Sequence, residues 1–151
     1  MQQTVKQLLA LVEEYTDKFS KIPDTEFAQK PASGKWSKKE ITGHLVDSAQ
    51  NNIQRFVRAQ YINRPHIVYH QDEWVAEQNY QHYNTHDLIE LWALLNKHIC
   101  VILANMPQEA YGLEVNVGKE QEKLVTLQFL AEDYIVHHLH HINQIFSNYH
   151  E

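Results

Sequence analysis

The sequence predicts an all-α protein, a four-helix bundle, on three observations. Only four glycines and four prolines punctuate its 151 residues. The long stretches between them repeat apolar residues at i, i+3 and i+4, the spacing of one helical face, rather than alternating as strands do. Ser37 followed by Glu40 makes a helix start in which each side chain satisfies the other's free backbone N–H. The length fits one domain over residues 1–151, and a chain of this size buries roughly two-thirds of the surface it exposes when unfolded. Its 43% of hydrophobic residues is enough for an ordinary core.

Helix one is expected from about Thr4 to Phe19, where Val5, Leu8, Leu9, Val12, Thr16 and Phe19 form a stripe opposite the charges. Ile22, Pro23 and Asp24 break it. Helix two starts at the Ser37 cap and continues to about Gln60, with Ile41, Leu45, Ala49, Asn52 and Phe56 on one side. Pro65 lies in a loop, and Tyr69 to Tyr83 mixes aromatic and polar residues without a long period. That segment is expected as loop with room for one short helix. Thr85 is the expected cap of helix three, whose stripe of Leu88, Leu91, Trp92, Leu95, Ile99, Ile102 and Met106 ends at Pro107. Leu113 to Val117 alternates apolar and polar between Gly112 and Gly118, and Leu124 to Thr126 offers a partner. One small β-hairpin is therefore expected before the last helix. Thr126 then caps helix four, which carries Leu127, Leu130, Ala131, Tyr134, Ile135, Leu139, Ile142 and Ile145 to about Asn148. Four amphipathic helices of this kind pack as a bundle.

The 19 acidic against 13 basic residues give a formal charge of −6. That balance argues against a nucleic-acid partner, because phosphate binding shows as a basic patch. The one cysteine, Cys100, sits mid-helix on an apolar flank and reads as structural. A lone cysteine forms no internal disulfide and suits a reducing compartment. Met1 to Ala10 has no basic-then-apolar signal pattern, and no stretch approaches the roughly 20 uninterrupted apolar residues of a membrane span. A soluble, cytoplasmic protein without membrane contact is expected.

Histidine stands out, at 11 of 151 residues. His137, His138, His140 and His141 surround Leu139 on helix four. At about 100° per residue, His137 and His141 lie one turn apart on the same side, so their imidazoles can converge on one point. Two neutral imidazoles suit a transition metal, and a third protein ligand leaves an open, catalytic type of site. The third must come from another helix. Helix two offers His44, on a polar seam with Ser48, Asn51 and Arg55, and facing helix edges are where bundles build metal sites. His138 points nearer the centre of the apolar arc, as a core residue or a support for the ligands. His138 with His141 at i, i+3 is an alternative pair, and His98 on helix three is a further candidate. Clustered histidines also occur on solvated helix surfaces, and His66, His70, His82, His86 and His150 read that way.

Several familiar chemistries are excluded. His138 follows His137, so the glutamate of a zincin H-E-x-x-H is missing, and there is no pair of E-x-x-H motifs for a di-iron site. No phosphate-binding glycine loop, dinucleotide fingerprint or G-x-S-x-G elbow occurs.

These residues resemble the DinB/YfiT-like superfamily of metal-dependent enzymes. The resemblance is carried by Lys35-Trp36-Ser37, Lys39-Glu40 and Gly43-His44-Leu45-Val46-Asp47-Ser48 at the start of helix two. Gln71-Asp72-Glu73-Trp74 adds to it, as does Asp133-Tyr134-Ile135-Val136-His137 with His141, Ile142 and Gln144-Ile145 on helix four. It implies a four-helix bundle and a three-histidine site whose ligands fall on His44, His137 and His141. It also implies hydrolase or thiol-dependent transferase or isomerase chemistry. Nickel, zinc, iron and manganese all suit three imidazoles.

Two functions follow as expectations. In the first, a divalent ion on His44, His137 and His141 serves an enzyme acting on a small molecule, with a small thiol as a candidate cosubstrate. Asp47, one turn from His44, would orient its ring. Asn51, Arg55, Tyr134 and Trp74 would contact substrate, with Asp72 and Trp74 closing over the pocket. In the second, the chain is a noncatalytic helical metal-binding or dimerisation module, its site closed by a fourth ligand, His138 or His98. Tyr61, Tyr69, Trp74, Tyr80 and Tyr83 would then anchor a homodimer. In either case metal affinity is expected to fall as pH drops through about 6.5, where free imidazole protonates.

Overall fold

The computed structural model describes residues 1–147, so the expected helix end at Asn148 and the side chain of His150 lie outside the described residues. Four long helices form the bundle: α1 (Gln2–Ser20), α3 (Lys38–Arg58), α5 (Thr85–Asn105) and α6 (Leu127–Phe146), with the short α2 (Asp24–Ala28) and α4 (Gln71–Glu77) between them. Before α6, β1 (Glu114–Asn116) and β2 (Leu124–Thr126) pair antiparallel, with Val115 opposite Val125. The expected bundle and hairpin are both present. Helix α5 packs between α1 and α3, and α6 closes the ring against both. The consecutive long helices α1 and α3 therefore lie diagonally. Helices α2 and α4 also pack on α3, which leaves every residue from Ile41 to Ala49 buried, polar ones included.

The caps explain where the helices begin. Ser37 Oγ accepts from the Glu40 N–H at 3.1 Å, and the Glu40 carboxylate accepts from the Ser37 N–H at 2.8 Å. Thr126 Oγ1 accepts from the Phe129 N–H at 3.2 Å and starts α6. The start of α5 differs from the expectation. Asn84 is its cap, with Oδ1 accepting from the Asp87 N–H at 3.0 Å, while Thr85 is the first helical residue and its hydroxyl donates to Asp24. Both are good cap types, and tertiary contact with Asp24 decides between neighbours. Helix α2 was not expected after Pro23. Its five residues are too short to show a period, and it exists to bury Phe27 edge-on against Phe19, 6.4 Å between ring centres.

The core joins three helices through aromatic packing. Phe19 of α1 meets Trp92 of α5 edge-on at 5.0 Å and stacks on Phe146 of α6 at 5.8 Å. Most of the aromatics expected at an interface are turned inward too. Tyr80 is buried, Tyr69 and Trp74 are half-buried and meet edge-on at 5.5 Å, and only Tyr61 and Tyr83 of that set are exposed. Cys100 is buried, and burial pushes its thiol up to about 11, which fits an unreactive core residue.

Tyr80 packs its ring directly on Gly43, where an added Cβ would stand 2.2 Å from ring carbon Cδ2. A glycine inside a helix costs about 1 kcal/mol relative to alanine, so propensity alone predicts that Gly43→Ala stabilises α3. The contact predicts the opposite. Overpacking of up to about 3 kcal/mol outweighs the propensity gain, and the net cost of up to about 2 kcal/mol lowers the melting temperature by roughly 2–8 °C. Thermal unfolding followed by circular dichroism checks this, and a rise in melting temperature would contradict it.

Candidate metal centre

The site forms where α3 faces α6. His44 comes from the first half of α3, whose start is fixed by the Ser37 cap, and its ring is fully buried. His137 and His141 come from successive turns of α6 and are half-buried. The three ring centres lie 5.3 Å (His44 and His137), 4.7 Å (His44 and His141) and 4.6 Å (His137 and His141) apart, each pair close to edge-on. One nitrogen from each ring lies within 4.8 Å of the other two, and the Nε2 atoms of His44 and His137 are 3.3 Å apart. The structure brings together the three residues that spacing and resemblance both selected.

Burial sets the charge state of these rings. It holds His44 down at about 3 and His137 down at about 4, with the other histidines opposing protonation further. His141 is also lowered, chiefly by burial. At neutral pH all three therefore carry free lone pairs, the form a metal requires. Gln144 orients His141: its Oε1 accepts from His141 Nδ1–H at 2.7 Å, which leaves the Nε2 lone pair for the site. Trp36 packs against His44 at 5.2 Å between ring centres. His44 Nδ1 is buried without a partner.

The other expected site residues are placed unevenly. Asp47 is buried, but its Oδ1 accepts from the Tyr80 hydroxyl at 2.6 Å and from Gln78 Nε2 at 2.8 Å, and no hydrogen bond joins it to His44. Its Oδ2 is unpartnered, and burial raises the carboxyl above its usual range. His138 belongs to the core. Its Nδ1–H donates to the Tyr134 carbonyl at 3.2 Å and its ring packs on Tyr134 and Trp92. It stands outside the group of converging nitrogens, as does His98, which is exposed on α5. Tyr134 is also a core residue, buried with its hydroxyl donating to Asn96 at 2.7 Å. Asn51 donates to the Asp47 carbonyl at 2.9 Å. Arg55 donates twice to the Ile67 carbonyl, at 3.0 and 3.1 Å. Trp74 packs on Tyr69.

A cavity of about 730 Å³ opens beside the site, with His141, Gln144, Trp36, Ile41, Lys35 and Asp72 in its wall. That volume suits a small organic molecule. Sequence reading assigned no role to Gln144 or Trp36. Gln144 was visible in principle, since it lies three residues beyond His141 on the same face. Trp36 reaches the site only through the turn into α3, which spacing along a helix does not reveal.

Known proteins give this arrangement a context. YfiT from Bacillus subtilis, described as a probable metal-dependent hydrolase with an unusual four-helix bundle topology, superposes with a TM-score of 0.86 at 18% identity, over 95% of this chain and 82% of YfiT. The mycothiol-dependent maleylpyruvate isomerase superposes with a TM-score of 0.74 at 14% identity, and this chain, 93% covered, spans 59% of that protein's length. A histidine-to-alanine variant of the isomerase gives a TM-score of 0.71 at 14% identity, with the same coverage. At these identities the likeness establishes a shared fold. No functionally curated protein matches the sequence. The DinB superfamily profile, by contrast, matches residues 1–145, nearly the whole chain. With that match, the bundle and the converging histidines, this chain belongs to the DinB superfamily.

Proposed function

We propose that the chain is a metal-dependent enzyme whose divalent ion is held by His44, His137 and His141, acting on a small molecule as a hydrolase or a thiol-dependent transferase. The observation that carries this reading is the convergence of three neutral imidazoles beside a cavity of about 730 Å³. The donors fit such an ion. Two metal–nitrogen bonds of about 2.0–2.1 Å at a tetrahedral angle set their nitrogens about 3.3–3.4 Å apart, and the Nε2 atoms of His44 and His137 are 3.3 Å apart. Nickel, zinc, iron and manganese all accept three imidazole ligands. Neither residue expected to close the site as a fourth ligand is in position, since His138 is buried in the core and His98 is exposed on another helix. This favours the enzyme over the noncatalytic module.

When bound, a divalent ion supplies a Lewis acid that lowers the pKa of a coordinated water toward about 7 or holds a thiol as thiolate. The chain's own side chains do the rest. Gln144 fixes the proton of His141 on Nδ1, Trp36 covers His44 from water, and burial keeps all three rings neutral. Substrate contacts in this reading come from the cavity wall at Trp36, Asp72 and Gln144. Asp47 would orient His44: its Oδ2 and His44 Nδ1 are both buried without partners, one helical turn apart. YfiT and the isomerase, described above as a metal-dependent hydrolase and a thiol-dependent enzyme, support both branches of the chemistry. A reducing cytoplasmic setting fits the buried thiol of Cys100. No helix among the described residues is long and apolar enough to cross a membrane. A homodimer is part of the reading, supported by exposed Tyr61, Phe129 and Val136. Sedimentation equilibrium giving only monomer at high concentration would remove it.

The direct functional test is turnover of a panel of ester, amide and thiol-transfer substrates by metal-loaded protein. Activity is expected to disappear on chelation, return with metal, and be absent in His137→Ala at unchanged helicity. Turnover that survives chelation would contradict the proposal. The pKa values give a second test. Metal retention should fall in acid at a lower pH than the free imidazole value sets, because burial lowers all three rings, His137 to about 4 and His44 to about 3. The metal-free protein should lose stability in acid over a related window. Unfolded imidazoles take up protons below about 6.5, while His137 and His44 in the fold resist to about 4 and about 3, so stability is full above 6.5 and declines as pH falls toward those values. Metal release that begins at 6.5 would show solvated rings. Asp47→Asn should weaken metal binding about tenfold if Asp47 orients His44, and unchanged affinity would remove that role.

A further inference from the structure

We propose that Gln81 is a positioning residue: it fixes the outer wall of the cavity, the strap from Gln29 to Trp36, so that the body of the substrate packs against a preformed surface. This deepens the metal-site reading and rests on it. The strap joins α2 to the Ser37 cap of α3, and Gln29, Pro31, Gly34, Lys35 and Trp36 all line the cavity. Its last residue, Trp36, also packs on His44, so one short segment both shapes the cavity and covers a ligand ring.

Little inside the strap holds it. Between Lys30 and Trp36 the one backbone hydrogen bond among the described residues runs from the Lys35 N–H to the Ala32 carbonyl, at 3.2 Å. Gly34 turns the crown at φ 73°, a left-handed conformation that favours glycine. Lys30 Nζ reaches Glu40 Oε1 at 2.9 Å with the lysine 46% exposed, and ion pairs of that kind contribute little. The two ends are held instead by a single side chain from a distant segment. Gln81 Nε2 donates to the Ala28 carbonyl at 2.6 Å, and its Oε1 accepts from the Ser37 hydroxyl at 2.7 Å. Ser37 Oγ is already the acceptor for the Glu40 N–H, which leaves its own proton to donate, so the orientation of the amide follows from its neighbours.

Gln81 can brace the strap because its own turn, Tyr80–His82, is fastened to α3. The Tyr80 hydroxyl donates to Asp47 Oδ1 and its ring packs on Gly43, while Lys39 Nζ donates to the Tyr83 carbonyl at 3.0 Å. Gln81 itself does not line the cavity, so it acts through the segment it holds. An amide suits the place because it donates and accepts at one end. A carboxylate there would set an oxygen against the Ala28 carbonyl, and a thioether would hold neither end. A wall fixed before binding avoids the loss of freedom that a loose segment incurs when a ligand arrives. Trp36 and Ile41 give that wall an apolar stretch, which favours a substrate whose body, beyond the group that meets the metal, is apolar.

The test uses cobalt-loaded full-length protein titrated with imidazole and with 4-phenylimidazole, which offer the metal the same kind of nitrogen and differ by a phenyl ring. The visible absorption of cobalt reads binding without any turnover. In the wild type 4-phenylimidazole is expected to bind about tenfold more tightly than imidazole, as partial burial of a phenyl ring predicts. In Gln81→Met that ratio should fall to about threefold or less, with imidazole affinity unchanged. Gln81→Glu, which keeps the acceptor for Ser37 and loses the donor to Ala28, should fall between the two and carries the test if the methionine variant does not fold. An undiminished ratio in a folded variant overturns the inference while the metal reading stands, because Gln81 would then serve only the fold. So does a wild type that binds both ligands equally, because the wall would then not meet the ligand. Failure to take up cobalt overturns the metal reading, and this inference with it.

Discussion

The enclosure of α3 is the constraint on which the rest of the structure depends. Helices α2, α4, α5 and α6 all pack on it, and its middle stretch carries Thr42, His44, Asp47, Ser48, Asn51 and Asn52 into the interior. Buried polar groups cost free energy unless they find partners. Thr42 and the two asparagines donate back to the carbonyls of their own helix. Asp47 draws in Tyr80 and Gln78 and so anchors the segment around α4, an arrangement that the missing side chain of Gly43 makes room for. His44 meets the histidines of α6 instead of a backbone group.

The same enclosure accounts for the site's chemistry. Desolvation is the largest influence on all three histidines, and it favours the uncharged form that can ligate a metal. An ordinary solvated histidine pair would compete with protons near pH 6.5. Burial moves that competition toward lower pH. His140, one residue from His141, is exposed and meets Gln144 Nε2 at 3.3 Å, while the Oε1 of the same side chain holds His141.

Much of this was legible in the sequence, for physical reasons that are specific to particular residues. The stripes of α1, α3, α5 and α6 follow the helical period, and Ser37 with Glu40 and Thr126 mark starts through local hydrogen bonds. His137 and His141 are related by one helical turn, which the chain fixes by itself. Pairing them with His44 needed the bundle and the family resemblance. What stayed illegible depended on contacts between distant segments. Helix α2 forms around one buried phenylalanine, and Tyr134, expected at the substrate, turns to the core and donates to Asn96. No periodicity within a helix records those placements.

The central claim is that His44, His137 and His141 together hold one metal ion. Elemental analysis of untagged protein, purified without chelators and compared with His44→Ala, tests it most directly. About one equivalent of nickel, zinc, iron or manganese per chain is expected in the wild type, with loss of that metal and retention of helical circular dichroism in the variant. No metal in the wild type after reconstitution with each of those ions, or a full equivalent retained by His44→Ala, would contradict the account.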